Sequence, residues 1–169
     1  LWMMEPNFGL FNYLLRKMGL PTSAWLSGSS TAMPSVILVS VWKSVGYDTL
    51  IFLAALQGVS ASLYEAARMD SANKVAVFFK ITLPMISPQL FFTLIIRTIS
   101  SFKVFDTVRI LTQGGPNNAT TTLVYSIYTE ALLNLRIGYS AAIGVILLII
   151  ISILTIIYFW GFSRKVHYQ

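Results

Sequence analysis

Residues 138–162 read GYSAAIGVILLIIISILTIIYFWGF, a run without one charged side chain. At about 1.5 Å of rise per residue it exceeds the roughly 30 Å hydrocarbon core of a bilayer, so it reads as a transmembrane helix. A chain holding such a segment takes lipid as part of its solvent. The rest agrees: 56% of the 169 residues are hydrophobic and 11% charged, against roughly 45–50% and 25% in soluble domains. Too little polar surface is left to coat a soluble globule. The fold class read from this is all-α, a multispan helical membrane protein.

The same run carries its own orientation signals. Tyr158 and Trp160 form an interfacial aromatic pair at its far end, followed by Arg164 and Lys165, which marks that end as cytoplasmic. Near its start Gly138 and Ala142, then Ser140 and Gly144, stand four apart. Such small residues either admit a neighbouring helix at close range or simply face lipid.

Several chemistries are excluded early. With no cysteine and one histidine, His167, there is no disulfide framework, no thiolate or histidine metal site and no cysteine nucleophile, so no catalytic residue and no metal ligand is expected. The net charge of +6 does not point to nucleic acid. Arg16, Lys17, Arg68, Lys74, Lys80, Arg164 and Lys165 are scattered beside apolar segments rather than gathered in a basic run, as membrane topology requires. No basic stretch followed by a short apolar core opens the chain, so no signal peptide is expected.

Two further apolar segments are predicted to span, residues 35–57 and 88–112, the second being apolar from Pro88 to about Ile110. Both contain charges: Lys43 and Asp48 in one, Arg97, Lys103, Asp106 and Arg109 in the other. A charge near the bilayer centre costs about 2.5–3.5 kcal/mol, so these helices face protein or water. Spacing places Lys103, Asp106 and Arg109 on one helix flank, where the carboxylate can neutralise either cation. Arg97 lies nearly opposite, without an evident partner. Residues 1–34 are breaker-rich and read as an external or interfacial segment with short helices. Residues 58–87 form a helical loop, 113–137 a polar turn (QGGPNNAT) and an amphipathic helix, and 163–169 a tail. Basic residues favour the cytoplasm for 58–87 and the tail.

Within 58–87, Ser62 and Glu65 fit a capping box, which predicts a helix start just after the membrane exit. The helix continues through Ala66, Ala67, Arg68 and Met69, and a second piece over about 74–81 ends before Pro84. Physical chemistry alone leaves two readings. The pair of helices lies in the lipid interface, or its small Ala66/Ala67 face fits a cleft in a partner protein.

Glu65-Ala66-Ala67-Arg68-Met69-Asp70-Ser71-Ala72, followed by Phe79-Lys80-Ile81-Thr82-Leu83-Pro84, resembles the EAA loop of binding-protein-dependent ABC importers, with its E-A-A, D-G-A and I-x-L-P pattern. Trp42 with Gly46, the run from Phe52 through Gln57, Phe105-Asp106, Leu111 through Pro116 and Ala119-Thr120 are similar to the carbohydrate-uptake branch of that family. The resemblance covers nearly the whole chain. It implies part of the type I importer transmembrane fold, three spans plus a cytoplasmic coupling helix, with further spans preceding them, in a multi-pass permease of a bacterial or archaeal cytoplasmic membrane.

The implied partners are a second homologous permease, two ATP-binding cassette ATPases, an extracellular solute-binding protein and membrane lipid, with no nucleic acid. The chain contains no G-x-x-x-x-G-K-[ST] phosphate loop, so no cofactor is expected in it, and ATP with magnesium is implied for the partner ATPase. By matching position, Glu65, Ala66, Ala67, Asp70 and Ser71 are implied to dock on the ATPase, with Leu83 and Pro84 framing the return to the membrane. The family usually has glycine at the bend where this chain has Ser71. Either the bend keeps its left-handed conformation at a cost of about 1 kcal/mol, or it moves to Asn73. Ser100, Ser101, Lys103 and Asp106 are polar at membrane depth and are candidates to line the solute path, or else to pair within the bundle. The branch implies a sugar or oligosaccharide as cargo; glycerol-3-phosphate importers share the same motifs. A channel or secondary transporter working without an ATPase leaves the EAA pattern unexplained, and an intramembrane enzyme lacks an acid, base and nucleophile set.

Overall fold

The computed structural model describes residues 1–71 and 73–162, so the tail at 163–169 lies outside the described residues. Its elements are helical throughout, with no strand among the described residues. In chain order they are α1 (Leu10–Lys17), α2 (Ala32–Gln57), α3 (Ala61–Met69), α4 (Lys74–Val77), α5 (Leu83–Met85), α6 (Ser87–Phe102), α7 (Asp106–Leu111), α8 (Leu123–Tyr128) and α9 (Ile137–Phe162). Two π-helical turns, Phe78–Thr82 and Thr129–Leu133, extend α4 and α8.

Helices α2 and α9 are long and apolar enough to cross a membrane, and only 6% of the most apolar window of each is buried inside the chain. Side chains such as Trp42, 79% exposed, therefore present apolar surface that water would not tolerate at this extent. A third crossing exists if the bent pair Lys74–Met85 and Ser87–Phe102, inclined at 66°, is one span.

The third apolar segment departs from its prediction. Helix α6 stops at Phe102, Val104 and Phe105 are not helical, and α7 begins at Asp106. Periodicity read from sequence carries across two such residues, because the apolar pattern resumes in phase. Pro84 also fails to end its helix. The chain widens into the π-helical turn just before it, with the Leu83 amide bonded to the Phe78 carbonyl, so the turn opens where the proline ring would meet a carbonyl.

The chain divides into two compact units. One comprises Leu1–Lys43 and Ser100–Ile150, the other Ser44–Ile99 and the described part of Ile151–Gln169. The first unit is tied by polar hubs. Asn12 is 1% exposed; its amide donates to the carbonyls of Pro6 and Ser23 at 2.8 and 2.7 Å, and its oxygen accepts from the Ser23 amide and the Trp25 indole at 3.0 and 2.8 Å. All four of its hydrogen-bonding positions are used, which orders the breaker-rich segment without an extensive apolar core. The turn at 113–120 is tied likewise. Buried Thr120 donates to the Gly115 carbonyl at 2.9 Å, and its hydroxyl stands 2.7 Å from that of Thr112. Gly114, at φ 81, leaves no room for a side chain against the Tyr125 ring.

The second unit packs α6 through Phe91, Thr93 and Ile95, all buried. Phe91 meets Phe159 edge to face at 5.6 Å, and Thr98 donates to the Tyr158 hydroxyl at 3.3 Å.

Candidate functional site

The loop between α2 and α6 carries the Glu-Ala-Ala run on α3. Its helix starts earlier than the capping box predicts. Ser60 is the N-cap residue and Ala61 the first helical one, so Ser62 falls inside the first turn, its hydroxyl 2.8 Å from that of Ser60, and no side chain caps the end. Glu65 is then five residues past the cap, too far to reach back. It is exposed instead.

Helical rotation separates the two alanines. Ala67 is buried at 6% exposure, while Ala66 is exposed. Tyr64, three residues before Ala67, shares the inward side, its hydroxyl 3.1 Å from that of buried Thr82. Glu65, Ala66 and Met69, the last 88% exposed, form the outward side, with Arg68, Asp70 and Ser71 also exposed. The sequence-predicted docking set is thus split: Glu65, Ala66, Asp70 and Ser71 are exposed, Ala67 is buried, and Leu83 and Pro84 are half-buried in α5. Met69, a large apolar residue one turn after Glu65 on the same helix, lies on that exposed side.

The bend stays at Ser71, whose φ is 51, in the left-handed region. Asn73 has φ −65 and caps α4, its side chain accepting from the Val75 amide at 3.2 Å. The bend therefore does not move to Asn73, which is committed to the cap.

Among the polar residues expected at membrane depth, the pairing differs from the sequence reading. Arg97 holds Asp48, with Nε and Nη2 at 2.7 and 2.6 Å from the same carboxylate oxygen, and its guanidinium also lies 5.4 Å from the Tyr47 ring centre. A cation on α6 and an anion on α2 thus neutralise each other, which one sequence alone does not reveal because it sets no register between helices. Lys103, Asp106 and Arg109 do not share a flank. The helix break separates Lys103 from Asp106, and no ion pair joins any of the three among the described residues. Ser100, Ser101, Lys103 and Asp106 are all exposed around that break, and the Thr122 hydroxyl donates to the Val104 carbonyl within it at 3.1 Å. Arg109 instead lies over the rings of Tyr128 and Phe105, 4.7 and 5.7 Å from their centres.

The chain is 43% identical over 174 residues to the sn-glycerol-3-phosphate transport system permease protein UgpA of Yersinia pestis bv. Antiqua, covering all of this chain and 57% of that protein. It is 44% identical to the UgpA of Pectobacterium atrosepticum, covering 58% of it. Its fold matches a permease chain in the crystal structure of a bacterial alginate ABC transporter in complex with an alginate pentasaccharide-bound periplasmic protein, with a TM-score of 0.85 and 26% identity over 96% of this chain and 57% of that one. The chain spans rather more than half the length of the relatives it matches. Residues 1–167 match the family described as the binding-protein-dependent transport system inner membrane component, and the chain belongs to that family.

Proposed function

We propose that this chain is part of the permease subunit of an ATP-driven importer in a prokaryotic cytoplasmic membrane, and that it passes a sugar-like solute delivered by an external binding protein. The observation that carries this reading is the family match over residues 1–167, joined to an exposed Glu65-Ala66 surface on a short helix between two membrane-competent segments. In this reading the chain hydrolyses nothing itself. A second permease and two ATPases complete the machine, ATP and magnesium belong to the ATPases, and α3 transmits their closure to α2 and α6.

Within the sugar-like class, a phosphorylated polyol such as sn-glycerol-3-phosphate is favoured, because identity to UgpA is 43% along the whole chain against 26% for the alginate permease. The docking surface is Glu65, Ala66, Met69 and Asp70, with Ser71 at its edge. Ala67 supports it from behind.

The test uses the full transporter in proteoliposomes with its cognate binding protein. Uptake is expected to require ATP and the binding protein. Ala66→Asp brings bulk and an unpaired charge into the contact and is expected to abolish cargo-stimulated hydrolysis while the subunit remains inserted. Uptake without an ATPase, or full stimulation in Ala66→Asp, would overturn the reading in favour of an interfacial helix.

A further inference from the structure

We infer that Arg109, with Tyr128, Phe105 and Tyr125, forms an anion-selecting station for the cargo beside the break between α6 and α7. The inference rests on the importer reading above and deepens it by naming a specificity residue and the group that it recognises: a phosphate monoester or a carboxylate.

Three arginines lie over aromatic rings in this chain, among the described residues. Arg97 also holds Asp48, and Arg136, 4.7 Å from the Tyr139 ring centre, also holds Glu130 at 3.3 Å. Arg109 lies 4.7 Å from the Tyr128 centre with no carboxylate in ion-pair reach among the described residues, although Asp106 stands one turn before it. Stacking on a ring restrains the guanidinium plane and leaves its N–H edge unused. A restrained fork of donors is the geometry that takes carboxylate or phosphate in a bidentate manner. The platform beneath it is itself packed. Phe105 and Tyr128 lie 5.1 Å apart, and Tyr125 stands 6.1 Å from Tyr128 and 6.3 Å from Phe105. The orientation of Arg109 is thus supported by rings rather than by a counter-charge, which would compete with an anionic ligand.

The break follows Phe102, where the bent apolar pair ends, and non-helical backbone beside such a segment needs protein or water as its neighbour. From Ser100 to Arg109 the exposed side chains are Ser100, Ser101, Lys103, Asp106 and Arg109, a polar set that disfavours lipid as the neighbour, with exposed Ile110 the first apolar one beyond it. Two cations against one carboxylate bias that space toward anions.

The experiment reads the site directly. The assembled complex in phosphatidylcholine nanodiscs is treated with phenylglyoxal, which modifies accessible guanidinium groups, and modification of the Arg109 peptide is quantified by mass spectrometry. sn-Glycerol-3-phosphate and inorganic phosphate are expected to protect Arg109 in a saturable manner, while glycerol does not. In proteoliposomes Arg109→Gln is expected to lower uptake of limiting sn-glycerol-3-phosphate by at least about tenfold, with Arg109→Lys intermediate. Absence of protection by either anion overturns the inference. So does protection that appears only when phosphatidylglycerol is added to the disc, which would make Arg109 a lipid-headgroup site. If phosphate protects but the wild-type complex takes up no sn-glycerol-3-phosphate, the anion station stands and the phosphorylated-polyol reading falls. Uptake with no protection gives the reverse.

Discussion

Ser71 and the alanine pair show how single residues set the loop between α2 and α6. At φ 51, Ser71 carries a β-carbon where glycine would carry none, which costs on the order of 1 kcal/mol. Ser71→Gly is therefore expected to protect the α3–α4 bend against local opening by about that amount, read as slower amide exchange over 61–77 in the intact complex. Unchanged exchange would mean that the bend relaxes without strain. Ala67 and Ala66 have opposite exposures, so the same substitution has different consequences at each. Ala67→Asp buries a charge inside the loop and is expected to destabilise the subunit by about 2–4 kcal/mol, seen as lower yield or a lower unfolding temperature, whereas Ala66→Asp leaves yield intact. The Glu-Ala-Ala string is legible in sequence. Which alanine faces outward is not, since it depends on where the helix begins, and that start lies at Ala61 rather than after Ser62.

Among elements, the decisive contact is the one between α2 and α6. The Asp48–Arg97 pair is partly exposed, with 23% and 33% of the side chains accessible, so its charges are neither fully desolvated nor fully screened. Removing one partner leaves the other without its counter-charge at membrane depth. Asp48→Asn or Arg97→Gln alone is expected to cost about 1–3 kcal/mol, while the double change recovers part of the loss. A double-mutant cycle on unfolding of the purified complex measures this, and a coupling energy near zero would show the pair to be incidental. Helix α6 also illustrates a limit of periodicity. Its apolar pattern runs on through α7, yet the backbone breaks at Val104 and Phe105, where Thr122 from a distant part of the chain satisfies a freed carbonyl. Pro84 shows the converse, a breaker absorbed by a π-helical turn.

For the whole molecule, the distribution of basic residues and the resemblance of the 58–87 loop predict a cytoplasmic side for that loop and an external one for the 113–120 turn. A cysteine at Ser71 is expected to react only from the cytoplasmic side and one at Asn117 only from outside; reaction of both from one side would remove a span. Length and apolarity alone determined that α2 and α9 exist and that lipid is their solvent, because a long, mostly apolar run has no alternative in water. The Glu-Ala-Ala string and its flanks determined the family resemblance for the same local reason: each is a contiguous pattern. The structure decided what depends on residues distant in sequence. It brought Arg97 to Asp48, set the Tyr64 hydroxyl beside that of Thr82, closed the segment around Asn12 and laid Arg109 over Tyr128. None of these pairs shares a local period, so only packing between helices, with its burial of charge and hydrogen-bonding groups, selects them.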